Sequence, residues 1–472
     1  MAKNQLPSKK DNPAEWYTAV IRVADLADYG PAKGTMIIKP YGYAIWERVQ
    51  KVMDEMIKDH GVENAYFPMF IPMNLLEKEA AHVEGFSPEL AVVTHGGGQK
   101  LEEPLAVRPT SEVIMYESYA KWIQSYRDLP VMMNQWNNVV RWEKRTSLFM
   151  RTTEFLWQEG HTAHATHEEA VATQEWAMDM YKKIYNDYFA IYGHVGFKSA
   201  GERFAGADNT LTFEALMPSG KALQSCTSHD LGQNFSKTFG ISFQDKEGTE
   251  QNAWQTSWGL STRSIGGLIL AHGDDNGLRL PPNIAPVQVV IIPIRTDDES
   301  VMEFADNLQK QLKDSGVRVS LDDRDDESMG WKINKWEVKG VPVRVEIGPK
   351  EVEQNQVTVA KRHDGSKEAV DAQGFVEGIQ ASLDAIQSEM FEQSKAMSDA
   401  NTREAKTYDE FKQIIAEHKG FVKVHWNDNK EIEDKIQAET KATSRCAVEQ
   451  SEGVDFYTGE PANQVWYFAQ SY

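Results

Sequence analysis

The heptapeptide Leu280-Pro281-Pro282-Asn283-Ile284-Ala285-Pro286 is the strongest constraint on how this 472-residue chain can fold. Each proline fixes φ, removes a backbone donor and biases the preceding residue away from helix. Such a stretch carries neither a helix nor an interior strand, so separate units must form on either side of it. Downstream, VQVVIIPI (287–294) has the unbroken apolar run of a buried strand. A helix follows with Val301, Phe304, Ala305, Leu308 and Leu312 on one face, then VRVSLDD (317–323), a helix near 328–339, VPVRVEIG (341–348) and QVTVAKR (356–362). Strands alternating with helices predict an α/β unit with a mixed sheet. Polar SKAMSDANT (394–402) reads as a linker to a small third unit, giving expected divisions at 1–285, 286–395 and 400–472.

Upstream, TMIIKP (35–40) predicts a short strand stopped by Pro40, followed by a helix with Ile45, Val49, Val52, Met53 and Met56 on one face. Tyr66-Phe67-Pro68 and Phe70-Ile71-Pro72 are too rich in proline for an interior strand. Residues 131–142 and 154–157 predict two antiparallel strands joined by a long turn. Thr166-His167-Glu168-Glu169 has the capping-box pattern and opens a helix through Tyr188. Residues 208–226 read as more strand, turning at Pro218-Ser219-Gly220.

Hydrophobic content of 41% describes a folded chain rather than a disordered one. Cys226 and Cys446 alone supply neither a disulfide framework nor a four-thiolate zinc site, and no apolar run reaches membrane-span length, so a cytoplasmic protein is expected. The net charge of −21 favours solubility without excluding polyanions, because a local patch is what binds phosphate. No P-loop is present, Gly96-Gly97-Gly98 lacks a strand-to-helix context, and His161, His164 and His167 lack an HExxH frame. Asp274-Asp275-Asn276-Gly277 fails the calcium-loop spacing.

Four segments remain: Arg108-Pro109-Thr110-Ser111-Glu112; Arg141-Trp142-Glu143 through Arg151 to Phe155-Leu156-Trp157-Gln158-Glu159-Gly160-His161; Phe213-Glu214-Ala215 with Gln224-Ser225-Cys226-Thr227-Ser228-His229; and Ser261-Thr262-Arg263. Together they resemble the class II aminoacyl-tRNA synthetases, and in particular the prolyl-tRNA synthetases of archaeal and eukaryotic type. KGTMIIKPYGYAIWE (33–47) is similar to motif 1, Arg141-Trp142-Glu143 to motif 2 and Arg263 to the motif 3 arginine. The resemblance implies an α+β and α/β multidomain fold: an antiparallel-sheet catalytic domain, an α/β anticodon-binding domain with a mixed sheet, and a small C-terminal α/β domain. It also implies a homodimer built on Pro40 and the helix after it.

The implied reaction activates L-proline with ATP to prolyl-adenylate, releasing pyrophosphate, and then loads tRNA(Pro) with AMP as second product. Bringing two anions together calls for arginine, whose planar fork makes bidentate, charge-assisted bonds and keeps its proton. By resemblance Arg141 bridges the carboxylate and α-phosphate, Arg151 lies towards the γ-phosphate, and Arg263 holds the other face of ATP. Glu143, Thr152, Gln224 and Thr227 contact the nucleotide, and Glu214 is the expected Mg²⁺ carboxylate. Thr110 and Glu112 receive the proline ammonium, Trp157, Glu159, His161 and Phe204 line the ring pocket, and His229 completes the site. Lys144 and Arg145 are expected to meet tRNA, as are Arg344, Lys361 and Arg362 in a basic stretch.

Many relatives hold zinc in the C-terminal module through four cysteines; with only Cys446 there, no zinc is expected. Tyr472 is a candidate to fold back towards the site. Between Arg141 and Arg263 the chain has no room for an editing insertion, which implies misactivation of alanine or cysteine without clearance in cis. A paralogue charging another acceptor and a non-catalytic RNA-binding relative are the competing readings. The basic stretch disfavours the first, and the retained Arg141, Glu214 and Arg263 disfavour the second.

Overall fold

The computed structural model describes residues 6–77 and 90–472. Its centre is an eleven-stranded sheet. The strands that matter for the site are β1 (Val131–Val140), β2 (Glu154–His164), β3 (Gly193–Phe197), β4 (Asn209–Leu216), β5 (Ala222–Gly232), β6 (Trp254–Ser261) and β7 (Ala442–Val454). They lie in the order β7-β3-β4-β5-β6-β2-β1, every neighbouring pair antiparallel. Strand β2 runs well beyond the expected 154–157.

One face of this sheet is covered by the helix His167–Lys183, whose start carries the expected Thr166–Glu169 capping box. Its last turn continues as a π-helix, Ile184–Tyr188. Trp258 projects onto that face and meets Trp176 and Tyr181 edge-on. Gly160 sits against the Trp258 ring, where an added Cβ would lie 2.2 Å from ring carbons, so only glycine fits. The helix Pro40–Asp59 buries Ile45, Val49, Val52 and Met53 as its spacing predicts, with Met56 half-buried. The proline-rich 70–72 segment is an edge strand, where its missing donor costs nothing.

After the proline-rich stretch, a five-stranded mixed sheet forms with both parallel and antiparallel neighbours. The predicted linker at 394–402 is instead largely helical: the helix Ala372–Ala400 runs through most of it. The polar residues misled because the buried stripe continues in small side chains, Met390 being followed by Ser394 and Ser398, and Ser394 Oγ accepts a bond from the Tyr192 amide. Nor does the C-terminal unit build a separate sheet, since Ala447 of β7 pairs with Phe197 of β3 and extends the central one.

Within that unit, the buried Asp455 carboxylate accepts bonds from the backbone amides of Asn427 (2.8 Å), Tyr457 (2.9 Å) and Thr458 (2.9 Å). It ties two chain segments around the Trp426, Trp466 and Phe468 cluster. No helix among the described residues is long and apolar enough to cross a membrane. Because the donors all require an acceptor, Asp455→Asn is expected to cost about 2–3 kcal/mol locally. Faster amide hydrogen exchange at Asn427, Tyr457 and Thr458 is the measurement that checks it.

Candidate active site

The open face of the central sheet carries the site, and strand register decides which side chains reach it. His161, Ser257, His229 and Thr210 lie in one row across β2, β6, β5 and β4. Two residues along, Glu159, Gly259, Thr227 and Thr212 form the next row. Alternation puts both rows on one face. A bulge between Phe213 and Glu214 then breaks the alternation and sets Gln224, rather than Ser225, opposite Glu214. Gln224 thereby shares the cavity with Thr227 despite an odd spacing.

A cavity of about 230 Å³ opens over these rows. Its wall includes all eight residues expected around proline: Thr110, Glu112, Arg141, Trp157, Glu159, His161, Phe204 and His229. Gln224 and Thr227 join them. Lys198, Glu202, Thr210, Ser257, Trp258 and Gly259 also line it and were not singled out from sequence. For Ser257 the available signal was its alternation with Gly259 on a strand; for Lys198 and Glu202 there was none.

Of the three carboxylates that line the cavity, Glu112 and Glu159 have different surroundings. Glu112 begins the helix Glu112–Trp122, where the helix dipole favours an anion, and its partner is the Thr110 hydroxyl. Glu159 is deeply committed: it accepts from the Ser111 amide (3.1 Å), Asn137 Nδ2 (2.6 Å) and Gln135 Nε2 (3.2 Å), and pairs with His161 Nε2 at 2.9 Å. Burial opposes its charge, but His161, Ser111 and Asn137 outweigh that and hold its pKa below the ordinary value. Burial likewise opposes a charged His161, yet the Glu112 charge and the Glu159 bond raise its pKa. His229 goes the other way, to about 3, through burial and then repulsion from His161. Its ring nitrogens engage Thr210 (2.9 Å) and Thr227 (3.1 Å), and Phe204 covers it with centroids 4.6 Å apart.

Arginines gather at the other end. Arg141 bonds the Pro109 carbonyl through Nε (3.1 Å) and lies 5.4 Å from the Trp157 ring centroid. Arg263 opens the helix Arg263–His272 and bonds the Met150 carbonyl (3.0 Å). Its pKa is lowered by burial and by the neighbouring charges of Arg151 and Arg141, so the three guanidinium groups stand close enough to repel. Glu143 relieves Arg151 at 3.6 Å. Lys144 and Arg145 are exposed on the loop between β1 and β2. Arg108, beside the ammonium-binding candidates, is structural: it is buried and bonds the Phe67 and Asn138 carbonyls.

Three expectations need correction. Glu214 does not fit the magnesium role: it is fully buried, with Lys198 Nζ 2.9 Å and Arg445 Nη2 2.8 Å from its oxygens. Burial alone would raise its pKa, but Arg445 and Lys198 hold it down, so the pair of cations already consumes its charge. Thr152, expected at the nucleotide, is buried and donates its hydroxyl to the Glu154 carbonyl. Arg362 makes a two-pronged bond to Asp274 (2.5 and 2.8 Å), clasping the mixed-sheet unit to the catalytic one. It still borders, with Arg344 and Lys361, a second cavity of about 340 Å³ that Trp336, Glu337 and Lys367 help to line. Tyr472 returns to the central sheet, its amide on the Ala222 carbonyl (3.1 Å) and its hydroxyl on Ser219 Oγ (2.7 Å), beside the turn rather than in the cavity.

An antiparallel sheet holding an arginine cluster beside a small amino-acid-sized cavity defines a class II aminoacyl-tRNA synthetase core. Residues 93–272 match the tRNA synthetase class II core domain (G, H, P, S and T), 288–382 an anticodon binding domain, and 408–472 the prolyl-tRNA synthetase C-terminal domain. The chain is 49% identical to proline--tRNA ligase 2 of Clostridioides difficile (strain 630), over 100% of both chains. It is also 49% identical to the proline--tRNA ligase of Alkaliphilus oremlandii, over 97% of this chain and 96% of that one. The crystal structure of prolyl-tRNA synthetase from Cryptosporidium parvum, complexed with halofuginone and AMPPNP, superposes with a TM-score of 0.95 at 41% identity, covering 99% of each chain. The chain belongs to the prolyl-tRNA synthetases.

The opposed shifts set a pH dependence. With its pKa raised on folding, His161 contributes stability that is complete below the ordinary histidine value of about 6.5 and is lost as pH rises through the raised value. Glu159, with its pKa lowered, contributes above the ordinary carboxylate value and loses it as pH falls. The gap in thermal midpoint between the parent and His161→Gln is therefore expected to narrow on the alkaline side of about 6.5. Melting curves across that range check it.

Proposed function

We infer that the chain activates L-proline with ATP and transfers it to the 3′ end of tRNA(Pro). The observation that carries this is one cavity that holds Glu112, Arg141, Trp157 and Phe204 together, with Arg141 also close to Arg263. In this reading the Glu112 carboxylate and Thr110 hydroxyl receive the secondary ammonium, while Trp157, Phe204 and the neutral His229 enclose the ring. Glu159 and His161, paired at 2.9 Å, fix the floor. Trp157 Nε1 and Ser257 Oγ, both buried in residues of the wall, have no hydrogen-bond partner among the described residues, which suits a cavity completed by a polar ligand.

Arg141 stands at the junction, where a substrate carboxylate would meet the α-phosphate. A carboxylate oxygen attacks the α-phosphorus, the bond to the β-phosphate bridging oxygen breaks, and pyrophosphate leaves with its electron pair. Arg141, Arg151 and Arg263 stabilise the charge gathering on the phosphoryl oxygens, so positioning and electrostatics do the catalysis. In the second step a terminal ribose hydroxyl of tRNA attacks the carbonyl carbon, and AMP departs. Synthetases of this class use ATP with Mg²⁺; since Glu214 does not fit the ion, none of these steps is assigned to a protein-bound metal.

The cavity beside Trp336, Glu337, Arg344 and Lys361 is read as the anticodon site, its cations for phosphate and its planar groups for splayed bases. The C-terminal unit is read as zinc-free, since Cys446 is its one cysteine, and Asp455 joins its segments. A homodimer is read at Pro40 and the helix Pro40–Asp59, beside the ribbon Ala27–Tyr29 and Met36–Ile38, where Tyr29 and Ile37 are each 52% exposed. A cytoplasmic location accompanies the tRNA substrate.

Proline-dependent exchange of pyrophosphate into ATP, followed by charging of tRNA(Pro), tests the function; absence of exchange with proline overturns it. Arg141→Ala is expected to lower kcat/KM for exchange by about 100-fold or more. An apolar pocket separates substrates by only about 1–3 kcal/mol for each methylene they lack. Alanine and cysteine are therefore expected to support measurable exchange, and alanyl-tRNA(Pro) to persist in the presence of the protein as long as in buffer.

A further inference from the structure

The segment 198–207 joins β3 to β4 and places Lys198, Glu202 and Phe204 on the cavity wall. Within the catalytic unit, the Lys198 amide bonds the Thr210 carbonyl (2.8 Å), the Glu202 and Arg203 amides bond the Ser199 carbonyl (3.1 and 3.0 Å), and the Phe204 amide bonds Thr210 Oγ1 (3.2 Å). Arg203 Nη1 donates to the Asp208 carbonyl (2.8 Å) and Asn234 Nδ2 to the Gly206 carbonyl (3.1 Å). Gly201, Gly206 and three alanines give it little side-chain mass with which to pack. Its first residues are held from a distant part of the chain. Ser199 Oγ donates to Glu433 Oε2 (2.9 Å), and the Ala200 amide to the Asp428 carboxylate (3.1 Å). Ser444 bonds both Ser199 Oγ (3.0 Å) and the Glu433 carboxylate. Arg445 and Lys198 grip Glu214 from two sides. Ser199, Glu433, Ser444 and Arg445 are all buried, so these bonds are shielded from water.

We propose that the C-terminal unit is a working part of the amino-acid site: Glu433, Asp428 and Arg445 are positioning residues that hold the 198–207 segment, and with it Phe204, in place over the bound proline. The proposal rests on the reading of the cavity as the proline pocket. The physical reason is entropic. A glycine- and alanine-rich segment that must be ordered by its substrate charges that ordering to substrate affinity, whereas one fixed beforehand does not. The arginines assigned to ATP sit on other elements, so loosening the segment separates the two substrates.

The test uses the full chain and compares Glu433→Ala, Glu433→Gln and Gly201→Ala. A Cβ at Gly201 would lie 2.9 Å from Glu433 Oε2, so the last variant pushes the clamp without deleting any of its groups. In pyrophosphate exchange, Glu433→Ala and Gly201→Ala are expected to raise KM for proline about tenfold while KM for ATP moves less than about twofold. Glu433→Gln, which keeps an acceptor, is expected to recover most of the loss. Trypsin cleavage after Arg203 is expected to quicken in the first two variants. Unchanged proline KM in both, or KM for both substrates rising together with a fall in thermal midpoint, overturns the proposal. Should the unmodified protein show no proline-dependent exchange, the reading of the cavity fails, and protection of Arg203 in parent against variants still decides whether the clamp exists.

Discussion

Everything at the site depends on the pairing register of β2, β6, β5 and β4. In an antiparallel sheet a slip of one residue sends every side chain to the opposite face. Here such a slip would turn the Trp258 ring and Gly160 to the cavity side and press His161, His229 and Ser257 against the helix His167–Lys183. Register is fixed from the covered side, where Trp258 meets Trp176 and Tyr181 and admits only glycine at position 160. Apolar packing on one face thus sets polar chemistry on the other.

The second organising feature is how charge is distributed among buried carboxylates. Glu159 and Glu214 share the site's face of the sheet, yet each is consumed by its neighbours, Glu159 by His161 and three polar groups, Glu214 by two cations. An isolated charge there would be very costly, and pairing makes it tolerable without leaving it available. Glu112 instead stands at a helix start with a threonine hydroxyl beside it. The two histidines divide similarly: the same burial acts on both, but His161 has carboxylates beside it and His229 has threonine hydroxyls.

Much of this was legible from residues alone. Capping at Thr166, the apolar stripe from Ile45 to Met53 and the buried run after Pro286 are local signals, and the elements formed where those signals stood. All the residues expected to surround proline do line one cavity. What failed was whatever depended on distant partners. The 394–402 stretch is polar by composition but helical because its serines pack inward, with Ser394 receiving the Tyr192 amide. Arg362 looked like a cation for tRNA until Asp274 stood beside it.

The sequence by itself determined the family resemblance, the interruption of regular secondary structure at 281–287 and the strands around the arginines, because propensity, proline geometry and periodicity act over a few neighbouring positions. Only the tertiary structure decided that the bulge at Phe213/Glu214 turns Gln224 into the cavity, that Glu214 is neutralised, and that the C-terminal unit joins the central sheet and touches the pocket segment. Glu214 and Arg445 lie far apart along the chain, as do Ser199 and Glu433. Whether a buried charge is free or spent is set by what folding brings next to it.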